Sequence, residues 1–87
     1  MQSKEYFEKS EADAKVHRRI VINQNTKEVA LGTTGQVIRT ELLLTYGYCV
    51  VVRWDLPPDP RRRRNVWPYE DWFNKVMYEQ LLSEVLT

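Results

Sequence analysis

The residues best equipped for chemistry lie late in the chain. Arg61, Arg62, Arg63 and Arg64 run together, and Trp67 and Tyr69 follow closely. Guanidinium groups contact phosphates and aromatic faces stack on bases, so this spacing points towards nucleic acid. Arg53, Arg18 and Arg19 would extend the track if the fold brings them near. The whole-chain balance points the other way. With 13 basic and 12 acidic side chains the net charge is +1, which leaves no broad electrostatic footprint. An arginine run on a proline-stiffened loop is more often a solvated loop than a binding site.

The other reactive side chains are isolated. His17 is the only histidine and Cys49 the only cysteine. Neither has a partner in the local sequence, so we expect no metal site, no cofactor and no catalytic set. Arg53 is four positions from Cys49, too far for the sequence to argue a thiol of lowered pKa, and Cys49 reads as an inert packing residue. One cysteine also excludes an intrachain disulfide and fits a reducing compartment. Glu70 and Asp71 are adjacent, and on a strand they would point to opposite faces, a poor geometry for shared acid–base work. Gly32-Thr33-Thr34-Gly35 could cradle phosphate, but no Lys-Ser/Thr and no helix follows it. It reads as a tight turn with at least one positive-φ position. The chain does not read as an enzyme.

The elements that would position these residues come from periodicity and turn chemistry. The 87 residues read as one domain, with 43% apolar and 11% aromatic content suited to a compact core. Residues 1–9 are expected to be a flexible end, with docking of Tyr6 and Phe7 as the alternative. Ser10, with Asp13 three positions on, suggests the cap of a short helix. Val16–Asn23 is dense in β-branched residues and reads as the first strand. Gln36–Thr40 begins a second strand, and Gly47 marks a reversal between Tyr46 and Tyr48. Tyr48–Trp54 is the strongest strand, with Tyr48, Val50, Val52 and Trp54 on the face we assign to the core. Asp55–Arg64 reads as a loop, Asn65–Trp67 and Asp71–Phe73 as short strands. Asn74 is placed to cap a terminal amphipathic helix over 75–86, whose stripe is Tyr78, Leu81, Leu82 and Val85. Met1–Lys15 is polar and charged, and no run approaches the ~20 apolar residues of a membrane helix. We therefore expect a soluble, cytoplasmic chain with no membrane partner.

Two stretches carry a resemblance. Val29–Val37 reads V-x-x-G-T-x-G-x-V, and Val50–Asp55 reads V-x-V-x-W-D. Together they resemble the turn and strand of the SH3-like small barrels of bacterial proteins, including those of the KOW type. Asp71-Trp72-Phe73-Asn74-Lys75, with Tyr78 and the Leu-rich end, is similar to a small bacterial family in which a barrel ends in D-W-F-[ST]-K and a C-terminal helix. Ala30-Leu31 stands where that pattern has Pro-Lys, and the Arg run looks like an insertion. The resemblance implies a mainly β fold: an SH3-like, partly open small barrel of about five short strands, with a short N-terminal helix and a C-terminal amphipathic helix. It implies no activity.

Two functional readings follow. The first is a non-enzymatic interaction module or accessory subunit that binds a protein partner through an aromatic-lined groove. Its candidate contacts are Tyr46, Tyr48, Trp67, Tyr69 and Trp72, although Trp54 and Trp72 read more readily as packing. The second is a nucleic-acid-binding barrel using Arg61–Arg64 with Trp67 and Tyr69.

Overall fold

A computed structural model of the chain describes residues 6–26, 29–56 and 69–85. The elements are α1 (Lys9–Ala14), β1 (Arg19–Ile22), β2 (Thr34–Leu43), β3 (Gly47–Trp54), β4 (Glu70–Phe73), α2 (Lys75–Leu81) and β5 (Leu82–Glu84). All strand pairs are antiparallel and form one sheet in the order β4-β3-β2-β1-β5. The first four strands are a meander, and β5 returns to the outer side of β1. The two edges, β4 and β5, are not paired with each other, so the sheet is open and not closed into a barrel.

The long β2–β3 hairpin is the centre of the fold. Its reversal falls at Gly47, whose φ of 69° is open to glycine at little cost. A register shift between Val37 and Arg39 inserts Ile38, a bulge that increases the local twist. On the inner face Val37, Val50, Val52 and Trp54 are fully or nearly fully buried, as the alternation of β3 predicts. Cys49 and Val51, on the opposite face, are buried as well, so β3 is covered on both sides. Ile20 and Ile22 of β1, Phe73 of β4, Tyr78 of α2 and Leu82 of β5 complete the inner core.

Several boundaries differ from the sequence expectation, each for a physical reason. Helix α1 starts one residue before Ser10 and is capped from Glu8, because the Glu11 carboxylate accepts the Glu8 backbone N–H at 3.1 Å. Asp13 faces Lys9 and Thr40 instead. The first strand loses Val16 and His17 to a turn, in which His17 takes a φ of 77°. Tyr6–Lys9 is not a loose end: Phe7 is buried, forms a bridge to Tyr48 and meets the Tyr78 ring edge-on at 5.7 Å.

The largest correction concerns the terminal helix expected over 75–86. Asn74 caps it as expected, its Oδ1 accepting the Met77 N–H at 2.9 Å. The helix nevertheless ends at Leu81, and Leu82 turns extended (φ −119°, ψ 144°). The free edge of β1 draws the chain out, pairing Ile22 with Leu82 and Ile20 with Glu84. Leu82 stays buried and Ser83 exposed, so the segment also satisfies a strand alternation. The expected strand over Asn65–Trp67 lies outside the described residues.

Candidate interaction site

At the open end of the inner face lies a groove of about 330 Å³, at the small end of the usual range for ligand sites. Its walls come from β1 (Ile22), the β1–β2 connection (Thr26, Val29), the end of β3 (Trp54), β4 (Asp71 to Phe73) and α2 (Met77, Leu81). Trp54 is the centre of this arrangement. Its ring meets Phe73 edge-on, centroids 6.1 Å apart and planes at 84°. A buried indole N–H needs an acceptor, and Nε1 donates to Asp71 Oδ2 at 2.9 Å. Asp71 stands opposite Val52 in the register, so the strand pairing holds the carboxylate where the indole needs it.

The loop rim is fastened by its own polar groups. Thr26 Oγ1 donates to the Val29 carbonyl and accepts the Val29 N–H, both at 2.9 Å. Asn25 Oδ1 accepts the Leu31 N–H at 2.9 Å. The Asn23 backbone N–H donates to the Leu81 carbonyl at 2.8 Å, which ties the loop to the end of α2. Met77 (37% exposed) presents apolar surface beside this fastened rim. The result is a mostly apolar trough, suited to one or two hydrophobic side chains of a bound segment.

The sequence candidates are placed unevenly. Arg61–Arg64 and Trp67 lie outside the described residues. Tyr69 does not serve as a surface contact: it is 2% exposed, and its carbonyl accepts the Trp54 backbone N–H at 2.9 Å. Tyr48 is half-buried against the core. Tyr46 is exposed, but at the β2–β3 turn, the end of β3 away from Trp54 and the groove. Trp72 exchanges roles with Tyr69. It lies on the outer face of the sheet, its Nε1 donating to Glu41 Oε2 at 2.6 Å. Strand parity explains the exchange, since Asp71 and Phe73 occupy the inward positions opposite Val52 and Val50. Met77 is the groove residue that sequence reading passed over. Its i, i+4 spacing to Leu81 on a helix is the signal that would have found it.

The outer face is a charged lattice. Glu70 receives Arg53 at 2.9 Å and Arg39 at 3.3 Å, and Arg39 also reaches Glu41 at 3.0 Å. The indole of Trp72 and then Arg39 hold Glu41 below the usual carboxylate range. Elsewhere Arg19 is paired with Asp55, Arg18 and Lys15 with Glu84, Lys9 with Asp13 and Lys75 with Glu11. Each Lys and Arg among the described residues therefore faces a carboxylate, and Arg18, Arg19 and Arg53, considered as extensions of a phosphate track, are already engaged. Burial, and then the Glu41 charge, push the Cys49 thiol up, the opposite of what a nucleophile needs. Among the described residues no group of three His, Cys, Asp or Glu side chains could hold a metal ion. No described helix is long and apolar enough to cross a membrane.

Comparison with family models, with curated proteins and with solved structures finds no match to this chain. The fold and the groove therefore define its class: a small, mainly β domain with one open antiparallel sheet and an apolar trough.

Proposed function

We propose that the protein is a non-enzymatic interaction module of SH3-like design, which seats a short apolar segment of a protein partner in the groove beside Trp54 and Met77. The observation that carries this reading is the trough itself: apolar walls, a rim fastened by hydrogen bonds, and Met77 exposed beside it. Protein-binding surfaces are enriched in aromatic residues and methionine, and both occur here. The strand order supports the SH3-like part. A four-strand meander whose fifth strand returns beside the first would need only β4 to meet β5 to become a closed small barrel. The described residues lend no support to the nucleic-acid reading, because their cationic side chains are each paired.

The test selects binding peptides from a displayed random library on the folded protein and measures their affinity by fluorescence anisotropy. Peptides with large apolar residues are expected, and Met77→Glu should weaken them at least about tenfold, the cost of placing a charge against an apolar side chain. Selection of no peptide, or equal binding by Met77→Glu, would overturn the groove. Titration with single- and double-stranded DNA and RNA at two salt concentrations runs alongside. Salt-steep binding that vanishes on replacing Arg61–Arg64 with alanine would put nucleic acid in place of a protein partner.

A further inference from the structure

The opposite end of the hairpin carries a second surface, independent of the groove. Leu42, Leu44 and Tyr46 are 62%, 105% and 51% exposed. Tyr6, 39% exposed, lies over Gly47, its Cδ1 only 3.3 Å from where a β-carbon would stand. Leu42-Leu43-Leu44-Thr45-Tyr46 contains no charged residue. Taking about 200 Å² for a fully exposed large side chain, Leu42, Leu44, Tyr46 and Tyr6 together present roughly 500 Å². The largest apolar patch of an ordinary monomer is about 300–600 Å², and this chain is a small one.

We propose that this tip is a self-association surface, and that what covers it is a second copy of the same chain, tip against tip about a two-fold axis. Area and charge both favour that occupant. Two such patches would bury on the order of 1,000 Å² together, the lower bound for a specific, reversible interface. An isologous contact sets charges near the two-fold axis against their own copies, which penalises a charged tip. Here the contact residues carry none, and the charged side chains beside them are already held, Glu41 by Arg39 and the Trp72 indole and Lys9 by Asp13. A membrane surface would favour unpaired basic residues beside the apolar tip, and Lys9 is taken by Asp13 while Glu41 is acidic. The groove sits at the Trp54 end of β3 and the tip at the Gly47 end, so the dimer leaves the groove accessible.

The experiment is sedimentation velocity on wild type, Leu44→Glu, Tyr46→Lys and Met77→Glu across a concentration series, with thermal melts to confirm folding. Wild type and Met77→Glu should pass reversibly from monomer to dimer. Leu44→Glu and Tyr46→Lys should dimerise at least about tenfold more weakly, through burial of an unpaired charge, with a melting temperature equal to wild type's at dilutions where both are monomeric. Wild type that stays monomeric at its highest soluble concentration overturns the proposal. So does a folded Leu44→Glu that dimerises as wild type does. A monomeric wild type that co-sediments with lipid vesicles, and loses this with Leu44→Glu, would assign the tip to a membrane surface and likewise overturn the second copy. Failure of the groove reading leaves these outcomes unaffected.

Discussion

Two backbone positions show how single residues set local geometry. Gly35 is not needed for an unusual φ; it is needed for closeness. A β-carbon there would stand 2.8 Å from the Arg53 carbonyl oxygen and 3.0 Å from both the Trp54 ring and Val52 Cγ1. The nearest atom is backbone, so no side chain can swing aside. Gly35→Ala should therefore cost about 1–3 kcal/mol in urea unfolding. A variant as stable as wild type would show that β2 and β3 can separate at no cost. His17 shows the reverse case. Its left-handed conformation lets its N–H reach the Val37 carbonyl at 2.7 Å while its own carbonyl accepts Gln36 Nε2 at 3.3 Å. An L-residue in that region costs about 1–2 kcal/mol, and glycine gives back part of the gain through unfolded-state entropy. His17→Gly should raise stability by up to about 1 kcal/mol, or roughly 4–8 °C in melting temperature for a chain of this size. A lower melting temperature would mean that the imidazole supplies more than its backbone takes.

Among the elements, β5 is short but central. It fills the edge of β1, buries Leu82 and carries Glu84 to a junction of the two helices. Glu84 accepts from Lys15 at 3.0 Å, Arg18 at 2.6 Å and the Tyr78 hydroxyl at 2.9 Å. Burial raises the Glu84 pKa, but these partners outweigh it and the net shift is downward. Burial and the hydrogen bond to Glu84 push the Tyr78 hydroxyl up, so it remains a donor. Leu82→Ala should cost about 2–5 kcal/mol by deleting core atoms at this edge. Glu84→Ala should cost about 1–3 kcal/mol, chiefly by leaving the hydroxyl of the buried Tyr78 without its acceptor. In chemical denaturation the additional variant Tyr78→Phe should recover part of that loss. Absence of recovery would place the loss in the ion pairs with Lys15 and Arg18.

For the whole molecule, the paired charges set the response to pH. Asp55, beside Arg19 and Thr34, titrates below its ordinary value, as do Glu11, Asp13, Glu41 and Glu84. A carboxylate whose folded pKa is depressed stabilises the fold above its unfolded pKa of about 4 and loses that contribution as pH falls through the folded value. Melting temperature should therefore be level near neutrality and fall below about pH 4. Asp55→Asn should melt below wild type at pH 7, and the two should converge in acid. Parallel curves down to the lowest pH would show that the Arg19–Asp55 pair contributes nothing. Arg19 and Asp55 are both exposed, so added salt should shrink the difference, and this pair contributes only about 0–1 kcal/mol.

How much of this was legible beforehand follows from the range of the interactions. Short-range pattern alone determined the Gly47 reversal, the inward face of Val50, Val52 and Trp54, and the Asn74 cap. Each depends on residues within a few positions of one another, where alternation, turn chemistry and capping act. The mainly β character was legible for the same reason. Tertiary structure decided the rest. Leu82–Glu84 could continue a helix or form a strand, and the open edge of β1 selected the strand. Tyr69 and Trp72 look equally suited to either side of a sheet until the pairing of β4 with β3 fixes which positions face inward. The groove did not exist as a sequence pattern at all, because Val29, Trp54, Phe73 and Met77 meet only when the strands fold back. Position along the chain sets local conformation, but which edges and faces remain open is a property of the assembled sheet.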